Sequence, residues 1–116
     1  MALNEKVILF NGSLTGDGNS VAVDIPLIGE NPPYFLSAVA SAVGAGTSLV
    51  AKLQHSCDGG TTWFDVASLT ALTSSALSQG SNITVGILNK ARINFDFTGG
   101  TTTATLVVAL HGGVSK

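Results

Sequence analysis

Residues Ala91-Arg92-Ile93-Asn94-Phe95-Asp96-Phe97 alternate without a break, with an apolar side chain at every second position and the chain's only arginine, an asparagine and an aspartate between them. Successive side chains of an extended strand point to opposite faces, so this stretch reads as a strand with one face in a core and the other in water. Working outward, the same period recurs. Leu49, Ala51 and Leu53 alternate with Val50, Lys52 and Gln54, and Val21, Val23 and Ile25 alternate with Ser20, Ala22 and Asp24. Residues 101–111 are rich in Thr and Val, with Ala104, Leu106, Val108 and Leu110 on one face. Their other face carries Thr105, Val107 and Ala109 in place of charge, which leaves it free to be covered as well.

Further strands are expected at 6–11, 34–42, 62–67 and 82–88, separated by Gly-, Pro- and Asn-rich turns at 12–19, 29–33, 44–47 and 99–100. That punctuation, at intervals of about ten residues, is the spacing of an all-β sandwich or barrel. Residues 68–81 read two ways, because Leu69, Leu72, Ala76 and Leu77 have partly helical spacing while the Ser and Thr content favours extended chain. A loop with a short strand is the expectation there. No other segment has a capped apolar face of helical period, and no internal repeat is visible. The expected fold is all-β: a single antiparallel β-sandwich of about seven to eight strands, jelly-roll or immunoglobulin-like, spanning 1–116 with 1–6 as an N-terminal arm.

Composition narrows the function. Charged residues make up 10% of the 116-residue chain, against roughly 25% in a typical soluble domain. Its surface must be built mainly from Ser, Thr, Gly, Asn and small apolar residues, which suits a chain packed against neighbours. The net charge of −2, with five scattered Lys and Arg residues, gives no electrostatic footprint for nucleic acid. Residues 1–6 are polar and the apolar run that follows stops at Phe10, so no secretory leader is expected. No stretch approaches the ~20 apolar residues of a helical membrane span. A single cysteine excludes an internal disulfide framework.

The most distinctive octapeptide is Ser56-Cys57-Asp58-Gly59-Gly60-Thr61-Thr62-Trp63, with His55 beside it. Between strands 49–55 and 62–67 it reads as a tight hairpin. Gly59 and Gly60 accept backbone angles closed to other residues, the Asp58 carboxylate can receive loop N–H groups, and Trp63 can lie across the turn. The expected structural set is Ser56, Asp58, Gly59, Gly60, Thr62 and Trp63. Reactive readings are weaker. His55, Cys57 and Asp58 offer N, S and O ligands, yet a structural zinc site draws on four ligands in spaced pairs, and His111 is the only other histidine. Cys57 with His55 or His111 as base lacks any oxyanion-hole motif. Asp58 and Asp65 read as solvated turn carboxylates rather than a glycosidase pair. Gly16-Asp17-Gly18-Asn19 is not followed by the strand-to-helix junction of a phosphate loop. Asn11-Gly12-Ser13 and Asn82-Ile83-Thr84 match the glycosylation sequon, which carries little without a secretion signal. No catalytic residue, cofactor or metal ligand is expected.

The octapeptide also matches the pattern Ser-x-Asp-x-Gly-x-Thr-Trp and so resembles the Asp-box hairpin of sialidases and other β-propellers, where it is a structural turn repeated in each blade. It occurs once here, in a chain too short for a propeller, and Arg92 alone cannot supply a sialidase's arginine cluster. Over residues 48–112 the chain is similar to small bacteriophage virion proteins. These are Ser-, Thr- and Gly-rich β-sandwiches with one such hairpin, then a strand like Asn89-Lys90-Ala91-Arg92-Ile93-Asn94-Phe95, and a closing Gly-Gly-Thr-Thr-Thr-Ala-Thr-Leu-Val-Val strand. The resemblance implies a non-enzymatic capsid decoration or cement protein that binds the major capsid protein, stabilises the head and sits on the virion after assembly in the host cytoplasm. It implies a homo-oligomer, with a trimer preferred because capsid lattices offer threefold sites. A minor head-tail or tail accessory role follows from the same resemblance. The alternative of another class is a carbohydrate-binding sandwich in which Trp63, Phe64 or Tyr34 stacks on a sugar.

Overall fold

The computed structural model describes residues 6–24, 34–84, 90–100 and 102–111. Nine strands run through them: β1 (Lys6–Leu14), β2 (Gly18–Asn19), β3 (Val23–Asp24), β4 (Tyr34–Val43), β5 (Ser48–Ser56), β6 (Phe64–Ser68), β7 (Ser78–Ile83), β8 (Lys90–Thr98) and β9 (Ala104–His111). Sheet A has the order β1-β9-β4-β7, and sheet B joins β6 to β5, β5 to β8, and β8 to both β2 and β3. Every pairing is antiparallel. Among the described residues there is no helix, and none therefore long and apolar enough to cross a membrane.

The topology follows once β2 and β3, which lie along the same edge of β8, are taken as one interrupted strand. The pairs then nest: β5 with β6, β4 with β7, β2 and β3 with β8, and β1 with β9. This is one long antiparallel hairpin, bent over so that β4 also meets β9 and β5 also meets β8. Such a rolled hairpin is a jelly roll, the first of the two sandwich topologies left open by the sequence. The turn between β5 and β6 is its tip.

The core lies between the central strands of the two sheets. Leu36, Ala38 and Ala40 of β4 and Leu106, Val108 and Leu110 of β9 face Leu49, Ala51 and Leu53 of β5 and Ala91, Ile93, Phe95 and Phe97 of β8, all buried. These are the alternating positions of the sequence, so hydrophobic burial selects the register: a slip of one residue would expose a whole set. Phe10 of β1 closes one side, its ring meeting Phe95 edge-on at 5.0 Å between centroids.

Three expectations are corrected. The strand expected around Val21 is broken: Val21 is 84% exposed, while Ser20 is buried. The Ser20 hydroxyl receives the Ile93 N–H at 2.8 Å and the Ser20 N–H donates to the Ile93 carbonyl at 2.8 Å, so a side chain takes over part of the ladder and turns the next residue outward. Ile25 lies outside the described residues. Second, β1 continues through the expected turn at Gly12 as far as Leu14, paired with Ala104. Third, the strand expected at 82–88 begins earlier, at Ser78, and residues 85–89 lie outside the described set. Gly80 makes that edge strand fit, since the Phe35 ring lies where a Cβ would stand.

Residues 69–77 are the crossing from sheet B to sheet A. Leu69 and Leu72 are buried against β5, through the Leu69 N–H on the Ala51 carbonyl (2.9 Å) and a two-way bridge between Leu49 and Leu72. Their helical spacing therefore records two points of anchorage on a strand edge. At one end of the sandwich the turn at 44–47 presses on Gly99 and Gly100, which adopt φ of 77° and 37°; a Cβ on Gly100 would strike the Ala45 carbonyl.

Replacing Phe95 by alanine should lower the unfolding free energy by about 3–5 kcal/mol in a urea titration, through lost burial and the cavity left behind. Val21→Ser, despite removing a valine, should change it by no more than about 0.5 kcal/mol; a large loss at Val21 would contradict the broken strand.

Candidate functional site

Ser56, the last residue of β5, is buried and organises the hairpin tip. Its hydroxyl donates to Asp58 Oδ1 at 2.8 Å and accepts the N–H groups of Gly60 (2.9 Å) and Asp58 (3.3 Å). Asp58 Oδ1 in turn accepts the N–H groups of Thr62 (2.8 Å) and Thr61 (3.1 Å). Loop donors that the ladder cannot reach are thus satisfied by two side chains two residues apart. Gly59 and Gly60 take φ of 80° and 107°, which a side chain would resist. The Trp63 indole N–H donates to the Gly60 carbonyl at 3.1 Å, fixing the ring over the turn. All six expected hairpin residues are therefore brought together.

The electrostatics match that geometry. The backbone N–H and hydroxyl of Thr62, then the Ser56 hydroxyl and the Thr61 N–H, favour the ionised carboxylate and lower the Asp58 pKa from 3.8 to about 2. Burial holds the His55 imidazole below its ordinary 6.5.

The hairpin continues into a polar network on the outer face of sheet B. Asp65 of β6 accepts from the Gln54 amide at 2.8 Å, and Gln54 accepts the Arg92 Nε–H at 2.9 Å. The Arg92 guanidinium lies 4.4 Å from the centre of the Trp63 ring, a cation–π contact. Lys52 pairs with the other Asp65 oxygen at 3.4 Å, and Asn94 donates to Asn19 at 2.8 Å. Gln54 and, less strongly, Lys52 hold Asp65 below the usual carboxylate range. The sequence contained Arg92, Gln54 and Asp65 but not their meeting, which needs the β5–β8 and β5–β6 registers.

The other expected positions do not converge on reactive chemistry. Cys57 is exposed on the hairpin, whereas His111 ends β9 in sheet A and shares a 3.0 Å hydrogen bond with Ser37. Asp58 and Asp65 belong to separate hydrogen-bond sets. Among the described residues no group of three or more His, Cys, Asp or Glu side chains is placed to hold a metal. Of the three rings considered for sugar stacking, Tyr34 is buried, Trp63 is covered in part by Arg92, and Phe64 is half exposed on the edge strand β6.

A larger feature emerges from the two outer faces. Every charged residue with a described side chain lies in sheet B or its connections. Asp24 pairs with Lys90 across β3 and β8 at 2.7 Å, and Asp17 accepts the Phe97 N–H at 2.7 Å. Lys52, Asp65, Arg92 and Asp96 stand on β5, β6 and β8, and Asp58 in the hairpin. The outer face of sheet A carries no charged residue among its described side chains. It presents Phe35, Ser37 and Val39 from β4, Thr105, Val107 and His111 from β9 with Ala109 buried among them, Ile8, Asn11 and Ser13 from β1, and Ser78, Gly80 and Asn82 from β7, and the β1 position of Lys6, opposite His111, falls on the same face by register. Compared with protein-family models and with curated proteins, the chain matches none.

The low Asp58 pKa gives the hairpin a pH signature. The folded carboxyl holds its proton more weakly than the unfolded one. Its contribution is therefore complete above the unfolded value of 3.8 and is lost as pH falls through about 2. Asp58→Ala should melt at a lower temperature than the parent at pH 7, and the gap should narrow as pH is taken from 4 toward 2. A gap independent of pH would contradict the hydrogen-bonding role.

Proposed function

We propose that this chain is a non-enzymatic structural component of a bacteriophage particle: a decoration or cement protein that lies on the head, binds the major capsid protein and stabilises the lattice. The observation that carries the reading is the segregation of charge: every described charged side chain lies in sheet B or its connections, and the described side chains on the outer face of sheet A include no Asp, Glu, Lys or Arg. A rigid plate of this kind suits protein assembly more than solution chemistry. The hairpin adds to the reading. Its carboxylate, hydroxyl, glycines and indole are occupied in holding one another, which is a scaffold role, and the resemblance of residues 48–112 to small virion proteins includes that same hairpin.

On a capsid, each copy would make many modest contacts, and the symmetry of the lattice would multiply them. Attachment of linked copies converts later contacts into intramolecular ones, so weak single interfaces give firm binding overall. The chain would act after the shell has formed, by spanning neighbouring capsid subunits and raising the barrier to their separation.

Purified heads should contain the protein in high, symmetry-related copy number by quantitative mass spectrometry. Heads assembled without it should release DNA at lower temperature and regain stability when it is added back. Its absence from purified particles would overturn the reading.

A further inference from the structure

We infer that the outer face of sheet A is a self-association surface, closed by the same face of a second copy of this chain across a twofold axis. Three features of that face argue for a like partner.

The first is charge. A twofold axis sets each residue near it against its own copy, so charge near the axis repels itself; no described side chain around Val39 is charged, and the β1 position of Lys6 lies toward the end of the face, opposite His111. A dissimilar partner is usually matched by complementary charge, and the described side chains here offer none for it to match. The second is the state of the polar groups. Ser13 and Thr105 bond to each other at 2.8 Å, Ser37 bonds His111 at 3.0 Å, and the Ser41 hydroxyl donates to the Thr105 carbonyl at 3.4 Å. These groups are tied laterally within the face, so covering them with another surface strands few donors or acceptors, while the amides of Asn11 and Asn82 would take partners across the contact.

The third is relief. Val39, at 56% exposure, stands as a ridge between two shallow depressions of about 330 Å³ and about 320 Å³. Phe35 and Gly80 line the first, Thr105 and Val107 the second. A ridge beside a groove is self-complementary, since an axis between them seats each Val39 in the partner's depression. Four strands spaced about 4.8 Å apart and some eight residues long cover roughly 500–600 Å² in plan. Over two copies that is about 1,000–1,200 Å², the lower end of a specific interface. Ile8 and Phe35, 41% and 43% exposed, are the apolar flanks that this contact would cover.

A self-complementary face is closed by two copies, whereas a threefold arrangement would leave it open. The inference does not depend on the virion reading, because association in solution needs no capsid.

Sedimentation equilibrium of the purified chain at about 100 µM should give twice the 11.7 kDa chain mass. Val39→Glu, which sets a carboxylate against its own copy, should weaken association at least about tenfold while keeping the parent's far-UV circular dichroism. Val21→Glu, at a still more exposed position between β2 and β3, should leave the dimer intact. A monomer or a three-chain mass for the parent, or a Val39→Glu protein that still pairs as tightly, would overturn the inference. So would a monomeric parent whose attachment to heads is abolished by Val39→Glu, which would assign the face to a capsid partner. Absence from particles with the dimer intact would instead count against the proposed function alone.

Discussion

The hydrogen bonds exchanged between Ser56, Asp58 and the loop N–H groups are the constraint around which the rest of the chain is arranged. They close the turn between β5 and β6, the innermost of the nested strand pairs. Each further pair, β4 with β7, then β2 and β3 with β8, then β1 with β9, spans a longer stretch of chain. Loop closure costs more entropy as the loop grows, so an inner turn that satisfies its own donors shortens the effective search for every outer pair. The tip is also tied to the second central strand of its sheet, because Arg92 of β8 rests on Trp63 and bonds to Gln54.

Rolling that hairpin into two layers separates the chemistry of the two outer faces. Sheet B holds its charges in pairs and networks: Asp24 with Lys90, Lys52 with Asp65, and the line Asp65, Gln54, Arg92. Exposed pairs of this kind add little stability singly, but together they fix side-chain positions and keep that face hydrated. Sheet A spends no charge on water among its described side chains. Its hydroxyls bond sideways and its valines stand clear. One layer is suited to solvent and the other to contact.

Much of this was legible in the sequence wherever a strand is half buried. β5, β8 and β9 carry their core residues at every second position, and the structure buries those same residues. β7 was displaced because Ser78–Ile83 has no apolar alternation; it is a strand because β4 offers an edge and Phe35 needs the flat surface of Gly80. At Ser20 the periodicity misled because a hydroxyl stood in for backbone. The choice between jelly roll and immunoglobulin-like order depends on pairings between distant strands, which local pattern does not encode. The hairpin's members were legible because its bonds are local, although the Ser56 hydroxyl's central part in them was not, and the Arg92–Trp63 contact waits on the register of β8. The lack of charge among the described side chains of that face was visible only once strands were assigned to sheets, since its residues come from four separated segments.

With the hairpin as scaffold and the outer face of sheet A as the proposed contact surface, hydroxyl-radical footprinting of the dilute and the assembled protein distinguishes the two, because the labelled rings and aliphatic chains are distributed over both faces. Assembly should protect Phe35, Val39 and Ile8 while Trp63 and Phe64 keep the labelling of the dilute protein. Protection centred on Trp63 and Phe64, with Val39 unchanged, would contradict the account and return the hairpin to the position of a binding site.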